Sequence, residues 1–415
     1  MSKIKKICDL LFNLVVLFSF LVIVSCSDKG VEPDQKAAGD IINSHTITNY
    51  TAAEITQVLN IFQIPISFQL QYPVKCISIE YQSEDINGNE INLSGALYIP
   101  QTESSMPLLS IQHGTETKND LVASINPLFA VEGVTGLISA SMGYVTSIPD
   151  YPGFGVSHSV HPYIHAASLS KSVIDFLRAS RNYCRKEKIT LDDKLYLAGY
   201  SEGGFATLAT HKEIEENYFD EFTVSASVPM AGPYDLKSTT DFMLQQTTYN
   251  YPAYLAFFYY AYDELYNWNR MDEIFNSPYN AAIPSLFDGS NEFSEINQQL
   301  PTQVSALIKQ DFINNYLNGN ENALNEALAE NSLLDWIPDA PIHFFHGDSD
   351  DVVPYQNSIN AYNSLKSNGA TDIHLTTIPG GTHATASMPS VVGALTWIDS
   401  LYTASKISAN YMVSK

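Results

Sequence analysis

Gly199-Tyr200-Ser201-Glu202-Gly203 constrains this chain more than any other feature. It stands between the apolar run Leu195–Ala198 and a helix-patterned run from Phe205 to His211. That context is a strand entering a helix through a tight turn, which forces Ser201 into a strained conformation and exposes its hydroxyl. Side chains at 199 or 203 would collide with such a turn. The start of the helix also aims the Glu202 N–H at a carbon attacked by Ser201, where it would stabilise an oxyanion.

A serine hydroxyl is a weak nucleophile and needs a base. His383 closes the loop Pro379-Gly380-Gly381-Thr382 after the strand-like run Ile373–Ile378, from which it can reach back to Ser201. His45 precedes the domain, and His211 lies on the helix after the serine. The base in turn needs a carboxylate to fix its tautomer. Asp348, Asp350 and Asp351 compete for that role in the stretch His346–Pro354, which follows the strand Ile342–Phe345. The register H-G-x-x-D-x-x-V-P selects Asp350, leaving Asp348 and Asp351 as turn formers or solvated carboxylates. Asp150 is an alternative acid, or else the organiser of its own glycine-rich loop. A second oxyanion donor belongs after the strand Leu108–Gln112; Thr115 N–H is the candidate, with another nearby amide as the alternative.

Short apolar strands alternate with helical stretches through most of the chain: Leu108–Gln112, Tyr144–Ile148, Lys194–Ala198, Val224–Pro229, Ile342–Phe345 and Ile373–Ile378. This spacing predicts an α/β architecture, a mostly parallel central sheet with helices on both faces. Val74–Gln82 and Ile91–Ile99 pair around Asn87-Gly88 as a hairpin. Residues 51–63 form a short helix with Thr51 as N-cap and Glu54 completing a capping box. The long interval from Pro229 to Ile342 lacks strand signals. Residues 233–338 read as a helical lid insertion over the carboxyl edge of the sheet. It includes the aromatic run Tyr249–Trp268, equally suited to lid core and to substrate platform, and one amphipathic helix face through Val304, Leu307, Ile308, Phe312 and Ile313.

At these residues the chain resembles the α/β-hydrolases of the secretory lipase type. The matching pieces are His113-Gly114, Asp150–Gly155, His161-Pro162-Tyr163, Gly199–Gly204, His346–Pro354 and Gly380–His383, within residues 50–403. The resemblance implies an α/β-hydrolase fold over 41–415 and a serine carboxylic-ester hydrolase of lipase or carboxylesterase type. The Tyr-rich insertion departs from a plainly aliphatic one and puts long-chain triacylglycerol in doubt. Two other readings stay open. One is a serine peptidase of the same fold, of prolyl or dipeptidyl type; the other is a catalytically silent lipoprotein that binds glycan or lipid.

The first residues read as a processing signal. Lys3, Lys5 and Lys6 precede an apolar run from Leu10 to Val24, too short for a comfortable membrane span. Ile23-Val24-Ser25-Cys26 resembles the bacterial lipoprotein cleavage box. The reading is a signal peptide over 1–25, lipidation at Cys26 and a polar tether over 26–40. Ser27 favours outer-membrane sorting by resemblance. Cys76 and Cys184 read as buried free thiols. His158, His161 and His165 cluster without zinc-ligand spacing and read as hydrogen-bonding residues, so no metal and no cofactor is expected. The net charge of −24 argues against nucleic acid as a partner. The expected partners are a small-molecule, lipid or glycan ester and, through the lipid anchor alone, a membrane.

Overall fold

The computed structural model describes residues 37–413 apart from 62–63, 65–67 and 129–130. The expected signal peptide, Cys26 and most of the expected tether lie outside the described residues. Gly39 and Asp40, read above as tether, are instead fastened to the domain. Gly39 N–H donates to Gln82 O at 2.8 Å and Gln82 N–H donates to Asp40 O at 2.9 Å. Both pairings extend a strand that the sequence pattern does not announce, β1 (Ile41–Tyr50).

Nine strands form one sheet in the order β1-β2-β3-β5-β4-β6-β7-β8-β9. β1, β2 (Val74–Glu84), β3 (Glu90–Pro100) and β5 (Val145–Pro149) join antiparallel. From β5 onward every pairing is parallel, through β4 (Met106–Gln112), β6 (Leu191–Tyr200), β7 (Val224–Met230), β8 (Ile342–Gly347) and β9 (Ile373–Ile378). The predicted hairpin is in register around Asn87-Gly88, with Glu84 opposite Glu90.

Side chains alternate across a strand, so a sheet covered on both faces feeds two cores. Leu108, Leu195 and Leu197 enter one apolar cluster; their neighbours Leu109, Tyr196 and Ala198 enter the other. The first core is closed by α3 (Ala166–Lys186), α4 (Glu202–Asn217) and α13 (Gln356–Asn368). The second is closed by α1 (Ala52–Ile61), α2 (Val131–Met142) and α14 (His383–Val413). The capping box forms as expected on α1: Glu54 N–H donates to Thr51 Oγ1 at 3.2 Å and Thr51 N–H to Glu54 Oε2 at 2.8 Å. Cys76 and Cys184 are buried free thiols.

Between β7 and β8 the chain forms helices and no sheet strand, among them α5 (Leu236–Gln245), α6 (Pro252–Leu265), α10 (Val304–Leu307) and α11 (Gln310–Leu317). The single amphipathic helix expected through residues 304–313 is two helices. Ile308 adopts extended backbone and pairs with Phe275 as an isolated bridge, which breaks the helix between α10 and α11. On α6, residues Leu255 to Asp263 are all buried, so the aromatic run is first of all the core of this interval. No helix among the described residues is long and apolar enough to cross a membrane.

Candidate active site

Ser201 sits between β6 and α4 with φ 60° and ψ −122°, a conformation that L-residues avoid. Three close approaches hold it there. Ser201 N–H donates to Met230 O of β7 at 2.8 Å. A Cβ on Gly203 would stand 2.1 Å from Gln112 O, and one on Gly199 would stand 2.3 Å from Gly203 O. The strain at Ser201 is therefore imposed by packing of β6 and α4 against the ends of β4 and β7.

β8 and β9 deliver the partners. Ser201 Oγ donates to His383 Nε2 at 2.8 Å. His383 Nδ1 donates to Asp350 Oδ2 at 2.7 Å. The three residues selected from sequence thus form one hydrogen-bonded line, with the proton on Nδ1 facing the carboxylate and the Nε2 lone pair facing the hydroxyl. His383 is the first residue of α14, one position past the loop in which the sequence placed it.

The Asp350 carboxylate is fully buried and fully engaged. Its Oδ1 accepts Val352 N–H and Val353 N–H, both at 2.9 Å. Its Oδ2 takes His383 and lies 3.2 Å from His346 Nε2. Burial alone would raise its pKa, but the hydrogen bonds from His346 and His383 prevail and hold it well below the usual carboxylate range. His346 is itself fixed, accepting from Ser358 Oγ at 2.8 Å and donating to Val353 O at 3.0 Å.

The other acids have different work. Asp150 accepts from Ser94 Oγ at 2.6 Å and from Ser124 Oγ, and the same Ser94 hydroxyl accepts Val156 N–H at 3.2 Å just past the Gly153–Gly155 loop. Burial pushes its pKa up to about 6. Asp348 accepts Gly380 N–H at 2.7 Å. Asp351 is more than a solvated carboxylate: Oδ1 accepts His383 N–H at 3.3 Å and Oδ2 accepts the Tyr251 phenol at 2.9 Å. No sequence signal marks that role, because Tyr251 is 100 residues away.

Gly114 and Thr115 follow β4 beside the elbow, where a Cβ on Gly114 would stand 3.5 Å from Tyr200 O. The Thr115 hydroxyl is paired with Tyr163 Oη at 3.1 Å. Gly114 N–H donates to Glu132 Oε1 at 3.0 Å. Glu202 is buried and its Oε1 lies 2.6 Å from His161 Nε2, while His161 Nδ1 donates to Pro152 O at 2.8 Å. His165 caps α3, accepting Ser168 N–H at 3.2 Å. His158 pairs with the Asn119 side chain at 3.0 Å. The three clustered histidines therefore each have a hydrogen-bonding role.

A small cavity of about 40 Å³ adjoins Ser201 and Glu202. Tyr163, Leu236, Met243, Tyr249, Tyr254 and Val352 are among the residues that wall it.

The family model described as serine aminopeptidase, S33, matches residues 140–387, more than half of the chain. Solved structures resemble it over nearly its whole described length. A putative hydrolase from Legionella pneumophila superposes with a TM-score of 0.81 at 27% identity, covering 87% of this chain and 98% of its own. The rice cell wall degrading esterase LipA from Xanthomonas oryzae superposes at 0.78 with 27% identity, covering 88% and 99%. Candida antarctica lipase A in its closed state shares the fold at 0.68 and 17% identity, covering 89% and 83%. No curated protein matches the chain.

Proposed function

We propose, for a chain that belongs to the α/β-hydrolase family described as serine aminopeptidase, S33, that it hydrolyses carboxylic esters through an acyl-enzyme on Ser201. The observation that carries this is the Ser201–His383–Asp350 line at 2.8 and 2.7 Å. Ser201 Oγ attacks the ester carbonyl while its proton passes to His383 Nε2. The amides of Glu202 and Thr115 hold the oxyanion; neither spends its N–H on another atom of the described residues. As the carbon–oxygen bond to the alcohol breaks, His383 returns the proton to the leaving oxygen. Water, deprotonated by the same imidazole, then releases the acid and restores Ser201. Asp350 stays ionised throughout and stabilises the imidazolium. No step calls for a metal or a cofactor.

Ser201→Ala tests the reading. Esterase kcat should fall by about 10⁶ if the three residues act as a unit, and labelling by a fluorophosphonate probe should vanish. Full turnover by the variant would refute it.

The family description favours peptide amides as a second reading. An aminopeptidase needs a free carboxylate for the substrate ammonium. Near this site Glu202 is engaged by His161, Glu132 by Gly114 N–H, and Glu116 is pushed up to about 8 by burial and neighbouring carboxylates. Those states favour esters. Aminoacyl-amide turnover exceeding ester turnover in the purified protein would reverse the choice. We also propose that the domain is exported and tethered to the outer membrane through Cys26; metabolic labelling with a fatty acid, abolished by Cys26→Ser, tests it.

A further inference from the structure

Two motifs in the loop between β5 and α3 take no part in the proton transfers: Asp150–Gly155 and His161-Pro162-Tyr163. The second meets both residues whose amides would hold the negative oxygen. His161 Nε2 lies 2.6 Å from Glu202 Oε1, and the Tyr163 phenol lies 3.1 Å from the Thr115 hydroxyl.

This stretch has little freedom. Tyr163 N–H donates to His161 O at 2.8 Å, closing a tight turn over Pro162. Gly153 faces that turn at φ 98°, and a Cβ there would stand 2.9 Å from His161 Cα. The Tyr163 ring stacks on Phe257 of α6 with centroids 4.6 Å apart, and the His161 ring lies 4.7 Å from that of Phe154. Tyr151, from the other motif, donates its phenol hydrogen to His113 O at 3.1 Å, one residue before Gly114. The loop after β5 therefore braces the loop after β4 as well as the start of α4.

The His161–Glu202 contact also fixes a proton. Pro152 O is an acceptor only, so His161 Nδ1, 2.8 Å away, carries a hydrogen. Nε2 and Oε1 at 2.6 Å need a second hydrogen between them, because a bare ring nitrogen would repel a carboxylate oxygen. Imidazolium with carboxylate and imidazole with carboxylic acid both satisfy this, and both leave the pair without net charge. The two side chains are almost wholly out of water. Covalent connectivity keeps the Glu202 carboxyl group close to its own N–H, so an unneutralised carboxylate would oppose an oxyanion forming there.

Resting on the ester-hydrolase reading and its two oxyanion amides, we propose that His161 and Tyr163 are positioning residues for the oxyanion hole. Tyr163 steadies Thr115. His161 steadies Glu202 and, through the shared proton, keeps net charge away from its amide. Both act through the residue they hold, and their effect falls on the transition state, where negative charge develops on the carbonyl oxygen.

Hydrolysis of ethyl butyrate and inhibition by an alkyl trifluoromethyl ketone test this on the purified protein. The ketone adds to Ser201 Oγ and leaves a negative oxygen in the hole, so its affinity reports the hole directly. Tyr163→Phe and His161→Gln should each lower kcat by about tenfold or more, with KM changed by less than about twofold, and weaken the ketone by a similar factor. His161→Gln leaves Glu202 without its neutralising partner. Adding Glu202→Gln removes the carboxylate and should recover most of the loss, a recovery that a pure packing role for His161 does not produce. If His161→Gln alone does not fold, folding of the double variant is that recovery. A double variant no better than His161→Gln overturns the proposal, and so does Tyr163→Phe with wild-type kcat and ketone affinity. If the wild type cleaves esters and takes the fluorophosphonate label in that case, only this inference fails. If the wild type does neither, the ester-hydrolase reading fails and takes this one with it.

Discussion

The phenol of Tyr200 donates to the backbone carbonyl of His383 at 2.7 Å. The residue immediately before the strained serine thereby grips the residue whose imidazole accepts the serine's hydrogen bond. The rings of the two lie 5.2 Å apart. With Asp351 accepting His383 N–H, both backbone polar groups of the histidine are tied to neighbours, one on β6 and one on the turn after β8.

Tyr200→Phe should therefore loosen the imidazole without removing it. The His383 carbonyl keeps its helical partner but loses the phenol, a cost of about 0.5–1.5 kcal/mol in stability. We expect kcat to fall by about tenfold or more, since small misplacements of a reacting group are expensive, with KM little changed. Steady-state kinetics and thermal unfolding of the variant check both parts. An unaltered kcat would show that the hydrogen bond does not position the base.

Asp350→Asn keeps the shape of the site and loses the charge. In a comparable serine hydrolase that exchange costs about 10⁴ in kcat by favouring the wrong tautomer, and the same order is expected here. Stability provides a second readout. The pKa of Asp350 is lower in the folded protein than in the unfolded chain, so its contribution is present above about pH 4 and is lost as the pH falls toward the depressed folded value. The stability gap between wild type and variant should be full at neutral pH and narrow in acid. A gap independent of pH would contradict the pairing.

Gly203→Ala probes the elbow. The new methyl would meet Gln112 O and His113 O at 2.1 and 2.9 Å, and both are backbone atoms that cannot step aside. A loss of about 1–3 kcal/mol is expected from overpacking, together with weakened fluorophosphonate labelling of Ser201. Wild-type stability and labelling rate in the variant would mean that β4 does not press on the turn.

Glu116→Gln addresses the opposite sign of titration. Burial, then the nearby Glu132, Glu202 and Glu292 carboxylates, pushes the Glu116 pKa up to about 8. Between about pH 4 and 8 the folded state keeps a proton that the unfolded chain has released, so stability from this residue falls as the pH rises. The glutamine variant lacks that decline. Its melting temperature should exceed that of wild type by more at pH 8 than at pH 5. An equal difference at both would place Glu116 in water.

The alternation of short, apolar-rich strands with helices made the parallel half of the sheet legible, because runs such as Leu195–Ala198 in β6 and Phe344-Phe345 in β8 are flanked by turn residues. Ser201, His383 and Asp350 were legible for a related reason: each follows such a strand, and short motifs mark the place. β1 escaped because Ile41-Ile42-Asn43-Ser44-His45-Thr46 is polar and half-exposed at the sheet edge, so its pairing with β2 leaves only a faint period-2 trace. The break at Ile308 escaped because a bridge to Phe275 is a tertiary event that overrides helical periodicity. The supports from Tyr200, Asp351 and His346 escaped as roles, although His346 stands within the motif that selects Asp350. A phenol or carboxylate has no local signature for a partner that only folding brings near.

The helices of residues 236–331 enter the chain between β7 and β8, while the three residues of the line depend on the ends of β6, β8 and β9. Most of the wall of the cavity beside Ser201 therefore comes from a different stretch of chain than the line itself, but Val352 and Val353 belong to both, since they wall the cavity and their N–H groups hold Asp350. A substitution within the insertion also reaches the line through Tyr251, whose phenol holds Asp351.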